Sequence, residues 1–238
     1  ALYDLSLCGW FHHHMQPAAR TVALTPPPAQ APHSSLVHML QCVQVKRTVF
    51  TGAVEGGEWI VQTGTTLDAM REGNGPITLM GTAFSLVHLC DAIEPIVLPP
   101  GSRVMETGGY KGRSRELSKA ELHALINAQL GVPTENIIGE FGMCELGSQA
   151  YATATGHFQF PRWARARIVS PEHGREVALA ETGLLEVIDL ANVRSVLAVR
   201  TADLAVRHAD GFELLGRVKQ SEPRGCSLNA SDLDNLRA

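Results

Sequence analysis

Two patterns of apolar residues alternate along the chain up to residue 161. Short apolar runs such as Thr21 to Leu24 ("TVAL") and Ile77 to Gly81 ("ITLMG") predict buried strands. The stretches that flank these runs space their apolar residues three or four positions apart, as a helix requires. In the first of them Leu7, Phe11 and Met15 recur every four residues. The chain therefore predicts strands that alternate with helices.

The helix that follows the strand Arg103 to Thr107 ("RVMET") carries a signal at each of its ends. Ser118 and Glu121 have the spacing of a capping box, in which the side chain of each residue accepts a hydrogen bond from the backbone N–H of the other. Gly131 follows the last apolar residue of the pattern and predicts the end of the helix. The helix leads into a further apolar strand, "NIIGEFG".

This alternation predicts an α/β fold with a doubly wound, mainly parallel sheet. From Arg162 the pattern changes to apolar-polar alternation, which predicts antiparallel strands joined by turns. The four alternating segments are "ARARIVS", "GLLEVIDL", "SVLAVRTADLAV" and "GFELLGRV". We therefore predict an α/β part over residues 1–161 and a smaller antiparallel β subdomain with a C-terminal tail over residues 162–238.

Composition and charge exclude several classes of protein. With 238 residues, 45% of them hydrophobic and 18% charged, the chain is typical of a globular protein with a large core. A net charge of -4 gives no basic field for a phosphate backbone, so we expect no nucleic-acid partner. The sequence has no run of about 18 apolar residues and no signal-peptide layout, so we expect a cytoplasmic protein without membrane insertion. Its five cysteines form no CxxC pair, which indicates reduced thiols.

Candidate ligand-binding residues follow two of the strands, at the carboxyl ends where an α/β sheet holds its ligands. Gly108 and Gly109 allow a backbone to approach a flat ligand, and Phe141 after the next strand offers a ring for stacking. Glu145 is a carboxylate placed where a hard cation such as Mg²⁺ bridges to phosphate oxygens. The residue types are those of a nucleotide site that holds an adenine.

Each of these residues also has a plainer interpretation. A Gly-Gly pair after a strand is most often a turn, and a single Phe is most often part of the core. An acid such as Glu145 often stabilises a helix N-terminus, and Asp203 fits the cap of a turn. The residue types alone leave both interpretations open.

Four motifs, taken in their order along the chain, resemble those of the acyl-adenylate-forming superfamily: "TGGYKG", "EFGMCE", "RTADLAV" and "GFELLGRVKQSEPRGCSL". They are more closely similar to the motifs of LuxE-type acyl-protein synthetases. The similarity extends from "APHSSLVHM" to the end of the chain, and it is specific because four spaced motifs agree. The resemblance implies that the protein uses ATP and Mg²⁺ to activate a carboxylic acid as acyl-AMP.

The resemblance also implies which residues contact the adenine. The glycines of the "TGG" turn, Gly108 and Gly109, pass against the base. Phe141 stacks on it, and Gly142 and Met143 follow in the same motif. All five residues belong to the predicted cofactor-binding set.

A second set of residues is implied to contact the phosphates, the metal and the ribose. Glu145 helps to hold Mg²⁺, and Asp203 accepts hydrogen bonds from the ribose hydroxyls. Arg217 lies near the ribose or the hinge that follows it. Cys144 stands where the family has a threonine whose hydroxyl bonds the α-phosphate, and a thiol is a poorer donor.

The last motif implies a second chemical step. The family accepts the activated acyl group on a cysteine near the C-terminus, here Cys226, and passes it to a reductase partner. The attack requires a thiolate, which Arg224 favours from two residues away. The substrate implied is a long-chain fatty acid.

Two observations favour rival functions. The sequence has no recognisable Ser/Thr/Gly-rich phosphate loop, so we expect the start of the domain to lie upstream of Ala1. Together with Cys144, this favours a non-catalytic nucleotide-binding or partner-docking fragment. The other alternative is an acyl-adenylate enzyme that uses coenzyme A or a carrier thiol, for which Cys226 is dispensable.

Overall fold

A computed structural model describes residues 2–43, 47–109, 114–152 and 155–218. These residues form two compact units, which we describe separately. Residues 15–138 form the first, called here the α/β unit. Residues 2–14 and 139–218 form the second, called here the β unit. The sequence-based division at residue 161 stays a prediction.

The α/β unit contains parallel strands and the helices that follow them. The parallel strands pair in the spatial order β6 (Arg103–Thr107), β5 (Ile77–Thr82), β1 (Arg20–Ala23), β2 (Arg47–Phe50). The helices are α2 (Ser35–Cys42), α3 (Thr63–Arg71), α4 (Ala83–Ala92) and α5 (Lys119–Leu130), followed by a 3-10 turn, Thr134–Asn136. A separate antiparallel hairpin consists of β3 (Gly52–Glu55) and β4 (Glu58–Val61).

Helix α5 begins and ends at the residues that the sequence predicted. The hydroxyl of Ser118 accepts from the backbone N–H of Glu121 at 3.3 Å, and the Glu121 carboxylate accepts from the backbone N–H of Ser118 at 2.7 Å. Gly131 adopts a left-handed conformation with φ of 63° and ends the helix. Both predicted end signals are confirmed.

The core of the α/β unit lies between its strands and helices. Strand residues Leu79 and Val104 are fully buried, as are Leu86 of α4 and Ile126 of α5. Both the strands and the inner faces of the helices carry apolar side chains. Removal of this apolar surface from water drives the packing of the helices on the strands.

The β unit consists of antiparallel strands and one helix. The helix is α1 (Leu2–Met15). The strands are β7 (Ile137–Phe141), β8 (Ala150–Ala152), β9 (Phe158–Gln159), β10 (Ala164–Val169), β11 (Thr182–Asp189), β12 (Ala198–His208) and β13 (Gly211–Arg217). Their spatial order is β10, β11, β12, β13, β9, β8, β7, and each pair of neighbours is antiparallel. Both α1 and β7 extend by one or two residues into the α/β unit.

The structure confirms the predicted fold class, an α/β fold with a parallel sheet and antiparallel strands towards the C-terminus. The four alternating segments form β10 to β13. Antiparallel pairing already begins before residue 162, because β8 pairs with β7 through Tyr151 and Glu140. Strands β8 and β9 have three and two residues, too few for an alternating pattern to mark them.

Helix α1 contacts residues of the β unit that are distant in sequence. Phe11 is fully buried, and its ring centroid lies 6.2 Å from that of Tyr151. The indole N–H of Trp10 donates to the carbonyl of Gln159 at 3.3 Å. The four-residue spacing of Leu7 and Phe11 therefore marks the face of α1 that is buried.

Candidate functional site

The "EFGMCE" motif spans the end of strand β7 and the loop that follows it. Phe141 is the last residue of the strand, and the backbone N–H of Leu146 donates to the carbonyl of Met143 at 3.1 Å. This bond closes a turn that contains Cys144, which is exposed, and Glu145, which is half-buried. The loop leads to strand β8, so the interpretation of Glu145 as a helix N-terminal acid is wrong.

Phe141 is half-buried against a cluster of phenyl rings. Its ring centroid lies 6.4 Å from Phe158, 6.3 Å from Phe160 and 6.2 Å from Phe212, in each case at a steep interplanar angle. Phe158 and Phe160 themselves stack on Phe212. Edge-to-face contacts of this kind hold a ring in one orientation. Phe141 is thus a ring held in place by its neighbours. One part of it is packed in the core, and the other part is exposed.

Gly142 lies close to two buried side chains. A Cβ at this position would lie 2.6 Å from Oε1 of Glu140 and 3.3 Å from Cγ of Gln149. Both neighbours are buried, with 6% and 5% of their surface exposed. Any side chain at position 142 would therefore displace buried groups beside the motif.

Asp189, at the end of strand β11, holds the same loop from outside the motif. Its carboxylate accepts from the backbone N–H of Gly147 at 2.8 Å and from the hydroxyl of Ser148 at 2.9 Å. Asp189 has no exposed surface, so its bonds are formed in a low-dielectric environment where they are strong. Asp189 belongs to none of the four motifs, so the sequence did not predict its role.

Asn192, three residues after Asp189, also contacts this loop. Its side-chain amide donates to the carbonyl of Glu145 at 2.6 Å and to the carbonyl of Val196 at 2.9 Å. A Cβ on Gly147 would lie 3.0 Å from the carbonyl carbon of Ala191, so the two segments touch through their backbones. Asn192 likewise lies outside the four motifs and was not predicted.

Asp203 and Arg217 face each other on paired strands. They are register partners on β12 and β13, and the Nε atom of Arg217 lies 3.7 Å from Oδ1 of Asp203. Burial raises the pKa of Asp203 above its ordinary value, while the Thr201 hydroxyl and the Arg217 charge act in the opposite direction. Asp203 is thus a partly buried acid whose negative charge has an energetic cost.

The backbone around Asp203 is irregular on both sides of strand β12. The pairing with β11 shifts register between Leu184 and Glu186, and the pairing with β13 shifts between Leu204 and Ala205. The backbone N–H of Asp203 donates to the Thr201 hydroxyl at 3.0 Å. Bulges re-aim side chains and are frequent beside active sites. The plainer interpretation of Asp203 as a turn cap is wrong, since the residue lies inside a strand.

The predicted glycines lie in the α/β unit, directly after strand β6. Gly108 has φ of 68°, a conformation that favours glycine, and both Gly108 and Gly109 are exposed. Glu106, two residues earlier, is 8% exposed, and its Oε1 atom lies 3.6 Å from Nζ of Lys119 and 3.5 Å from Nε2 of His123. This polar cluster connects the end of β6 to helix α5.

The site residues of the sequence analysis thus fall into three groups. The β unit holds Phe141, Gly142, Met143, Cys144, Glu145, Asp203 and Arg217. The α/β unit holds Gly108 and Gly109. Cys226 and Arg224 lie outside the described residues. Among the helices that the structure describes, none combines the length and hydropathy needed to span a membrane.

Comparison with solved structures defines the class of fold. The chain superposes on the O-succinylbenzoate coenzyme A synthetase MenE of Bacillus subtilis, solved with ATP and magnesium, with a TM-score of 0.63 and 14% identity, over 91% of this chain and 45% of that one. The anthranilate coenzyme A ligase AuaEII, solved with anthranoyl-AMP, gives 0.60 and 15%, over 91% and 43%. MatB of Rhodopseudomonas palustris gives 0.62 and 16%, over 92% and 44%. The chain has the fold of adenylate-forming enzymes.

Comparison of sequences narrows this class. The chain is 25% identical over 179 residues to a long-chain-fatty-acid–luciferin-component ligase of Aliivibrio fischeri. The match covers 69% of this chain and 47% of the ligase, so the chain spans about half the length of this relative. No family model matches the chain. The predicted resemblance to the LuxE-type acyl-protein synthetases is confirmed by this match together with the shared fold.

Proposed function

We propose that this chain is part of an AMP-forming acyl-protein synthetase, which activates a carboxylic acid as acyl-AMP and transfers the acyl group to a cysteine. The observation that carries the proposal is the placement of two motifs in one packed unit. Phe141 and Met143 pack against the same apolar cluster as Ala205, which lies two residues after Asp203 on β12. The similarity to a fatty-acid ligase supports it.

The adenosine part of ATP is assigned to Phe141 and Asp203. The Phe141 ring is held by three phenyl neighbours, so stacking on a base costs it little conformational entropy. Asp203 accepts from the ribose hydroxyls, and these bonds favour its ionised form against burial. Gly108 and Gly109 are assigned to the adenine by the resemblance.

Glu145 is the residue that would hold Mg²⁺. A carboxylate is a hard oxygen donor, and Mg²⁺ binds through one or two such groups together with substrate phosphates. Glu145 is half-buried in a closed turn, so the donor chemistry fits the ion, whereas the neighbouring Cys144 thiol is too soft a donor. When bound, Mg²⁺ neutralises charge that develops on the phosphate oxygens.

In the first step, a carboxylate oxygen of the substrate attacks the α-phosphorus of ATP. The bond from that phosphorus to the bridging oxygen breaks, and pyrophosphate leaves with the electron pair. Cys144 stands at the position assigned to the α-phosphate and is exposed to a ligand there. Its thiol donates a weaker hydrogen bond than a hydroxyl, so we expect the first step to be slower than with threonine.

In the second step, the Cys226 thiolate attacks the acyl carbon. The bond between that carbon and the phosphate oxygen of the adenylate breaks, AMP leaves, and a thioester forms. We propose a long-chain fatty acid as the substrate, because the Aliivibrio fischeri relative is named for that acid. We also propose an acyl-accepting reductase as the partner that removes the acyl group.

The test uses a preformed adenylate, so that transfer is measured apart from ATP hydrolysis. The full chain is mixed with a synthetic long-chain acyl-adenylate, and intact mass is recorded for the wild type and for Cys226→Ser. We expect a gain of one acyl group that hydroxylamine removes and that the variant lacks. AMP and ATP binding by calorimetry measure the nucleotide site separately.

Each contrary result points to a different alternative. An equal mass gain in Cys226→Ser would exclude Cys226 as the acceptor, and transfer to added coenzyme A would then favour a free-thiol enzyme. Nucleotide binding without any transfer would favour a non-catalytic fragment. A wild-type chain that binds neither the adenylate nor ATP would contradict the proposed function as a whole.

A further inference from the structure

The loop that carries Glu145 is held at three positions by the last residue of strand β11 and by a residue that follows the strand. Asn192 donates to the carbonyl of Glu145, while Asp189 accepts from the backbone of Gly147 and the hydroxyl of Ser148. We call Asp189 and Asn192 the β11 clamp. It lies more than 40 residues from the motif in sequence and is absent from the motif-based prediction.

Asn192 is itself fixed at several points. Both hydrogens of its side-chain amide have acceptors, since the nitrogen lies 2.6 Å from the carbonyl of Glu145 and 2.9 Å from that of Val196. Its backbone N–H donates to the carbonyl of Asp189 at 3.2 Å. Asn192 therefore has a defined rotamer and holds the Glu145 carbonyl in a defined place.

The clamp supplements a turn within the loop itself. Between the ends of β7 and β8 it spans residues 142–149, and its turn is closed by the bond from Leu146 to Met143 at 3.1 Å. A metal ligand must be held within about 0.5 Å of its productive position. The bond from the Asn192 side chain to the Glu145 carbonyl fixes the peptide unit that carries the Glu145 carboxylate.

We infer that Asn192 is a positioning residue for the Mg²⁺ ligand Glu145, acting through the Glu145 carbonyl. The inference rests on the proposed function, which assigns Mg²⁺ to Glu145. It adds a residue of the β11–β12 connection to the metal site. Partners in the outer shell of a metal site typically contribute 10–100-fold to metal affinity.

The test measures how strongly Mg²⁺ improves ATP binding. The dissociation constant for ATP is determined by calorimetry on the full chain, once in EDTA and once in saturating Mg²⁺. We compare the wild type with Asn192→Leu, which keeps the branched shape of the side chain and removes both N–H donors, and with Asn192→Ala. Val193→Ala is the matched control, because Val193 is an exposed neighbour on the same loop.

We expect both Asn192 variants to bind ATP about tenfold more weakly in Mg²⁺ and as tightly as the wild type in EDTA. Val193→Ala should behave like the wild type in both buffers. An equal loss in EDTA and Mg²⁺ would indicate a purely structural role and overturn the inference, as would no loss at all. If the wild type shows no ATP binding, the proposed function fails and the inference fails with it.

Discussion

Asp203 illustrates how a single residue can be retained at a cost to stability. Its pKa is raised chiefly by burial. The folded environment therefore favours the protonated form of the Asp203 side chain over the ionised form. Arg217 at 3.7 Å compensates this only in part. A charge kept in such an environment is a feature of functional sites, where stability and activity oppose each other.

Asp203→Asn should therefore stabilise the protein and weaken nucleotide binding. At pH 7 the folded state of the wild type carries the unfavourable charge, so we expect the variant to raise Tm by about 1–2 °C. The gain should disappear below the ordinary pKa of a carboxyl group, where Asp203 is protonated in both states. AMP affinity should fall about tenfold with the loss of the charged acceptor. Thermal scans at pH 7 and pH 3 and AMP calorimetry measure these effects.

Asp210→Asn is a control of opposite sign. The hydrogen bond from His157 lowers the pKa of Asp210, so its ionised form stabilises the folded state above the ordinary pKa of a carboxyl group. We expect this exposed variant to lower Tm at pH 7 and to leave AMP binding unchanged. A decrease in Tm for both variants would contradict the account of Asp203.

Helix α5 shows how much of an element can be predicted when its signals are local. The residues that mark the ends of α5 lie within the helix or next to it. Ser118 and Glu121 form the capping box that their spacing predicts, and Gly131 ends the helix. Strands β10 to β13 were also predicted, because each is long enough to show alternation. Elements with complete local signals need no tertiary information.

Loss of the α5 cap gives a prediction at the scale of this element. Ser118→Ala removes the acceptor for the backbone N–H of Glu121, so we expect the free energy of unfolding to fall by about 1 kcal/mol. Urea denaturation measures this change, and the slope of the transition should stay the same. Ser195→Ala, at an exposed serine of a loop, is the control. An unchanged midpoint for Ser118→Ala would mean that the cap is not formed.

The candidate site was only partly predictable. Glu145 and Asp203 belong to motifs that can be recognised along the chain. Asp189 and Asn192 act through contacts with residues 42 and 47 positions away, which no local pattern encodes. Strands β8 and β9 could not be predicted for the same reason, since their pairing partners define them and their own sequence does not.

At the scale of the molecule, the β unit is assembled from two distant parts of the chain. Helix α1 packs with residues beyond 139, and the 124 residues between them form the α/β unit. His14, near the end of α1, stacks on Tyr151 with 5.4 Å between ring centroids and contacts Trp10 at 4.4 Å. The three successive histidines of α1 thus differ in burial. His12 and His13 are exposed, whereas His14 is half-buried.

The position of His14 predicts loss of stability in mild acid. Burial and, secondarily, the charge of His13 lower the pKa of His14 to about 4. The unfolded chain binds a proton at this residue below about pH 6.5, whereas the folded protein does so only near the lowered pKa. Stability should therefore be lost as pH falls from about 6.5 towards 4.

His14→Phe keeps a ring for Tyr151 and removes the titration. We expect the wild type to lose on the order of 2 °C more in Tm than this variant between pH 7 and pH 5, since partial exposure screens the effect. Thermal scans across this range measure the difference, with His12→Gln as an exposed control on the same helix. Parallel pH profiles for the wild type and His14→Phe would contradict the assignment.

The division of the β unit between two parts of the chain also affects how the protein is made. Trp10 leaves the ribosome 149 residues before Gln159, which accepts its hydrogen bond. At a synthesis rate of about 5–20 residues per second, that interval lasts roughly 7–30 s. For that time Phe11, which has no exposed surface in the folded protein, lacks the Tyr151 ring that it contacts there. Helix α1 is thus synthesised well before the residues that it packs against, and a chaperone would meet its apolar face on the nascent chain.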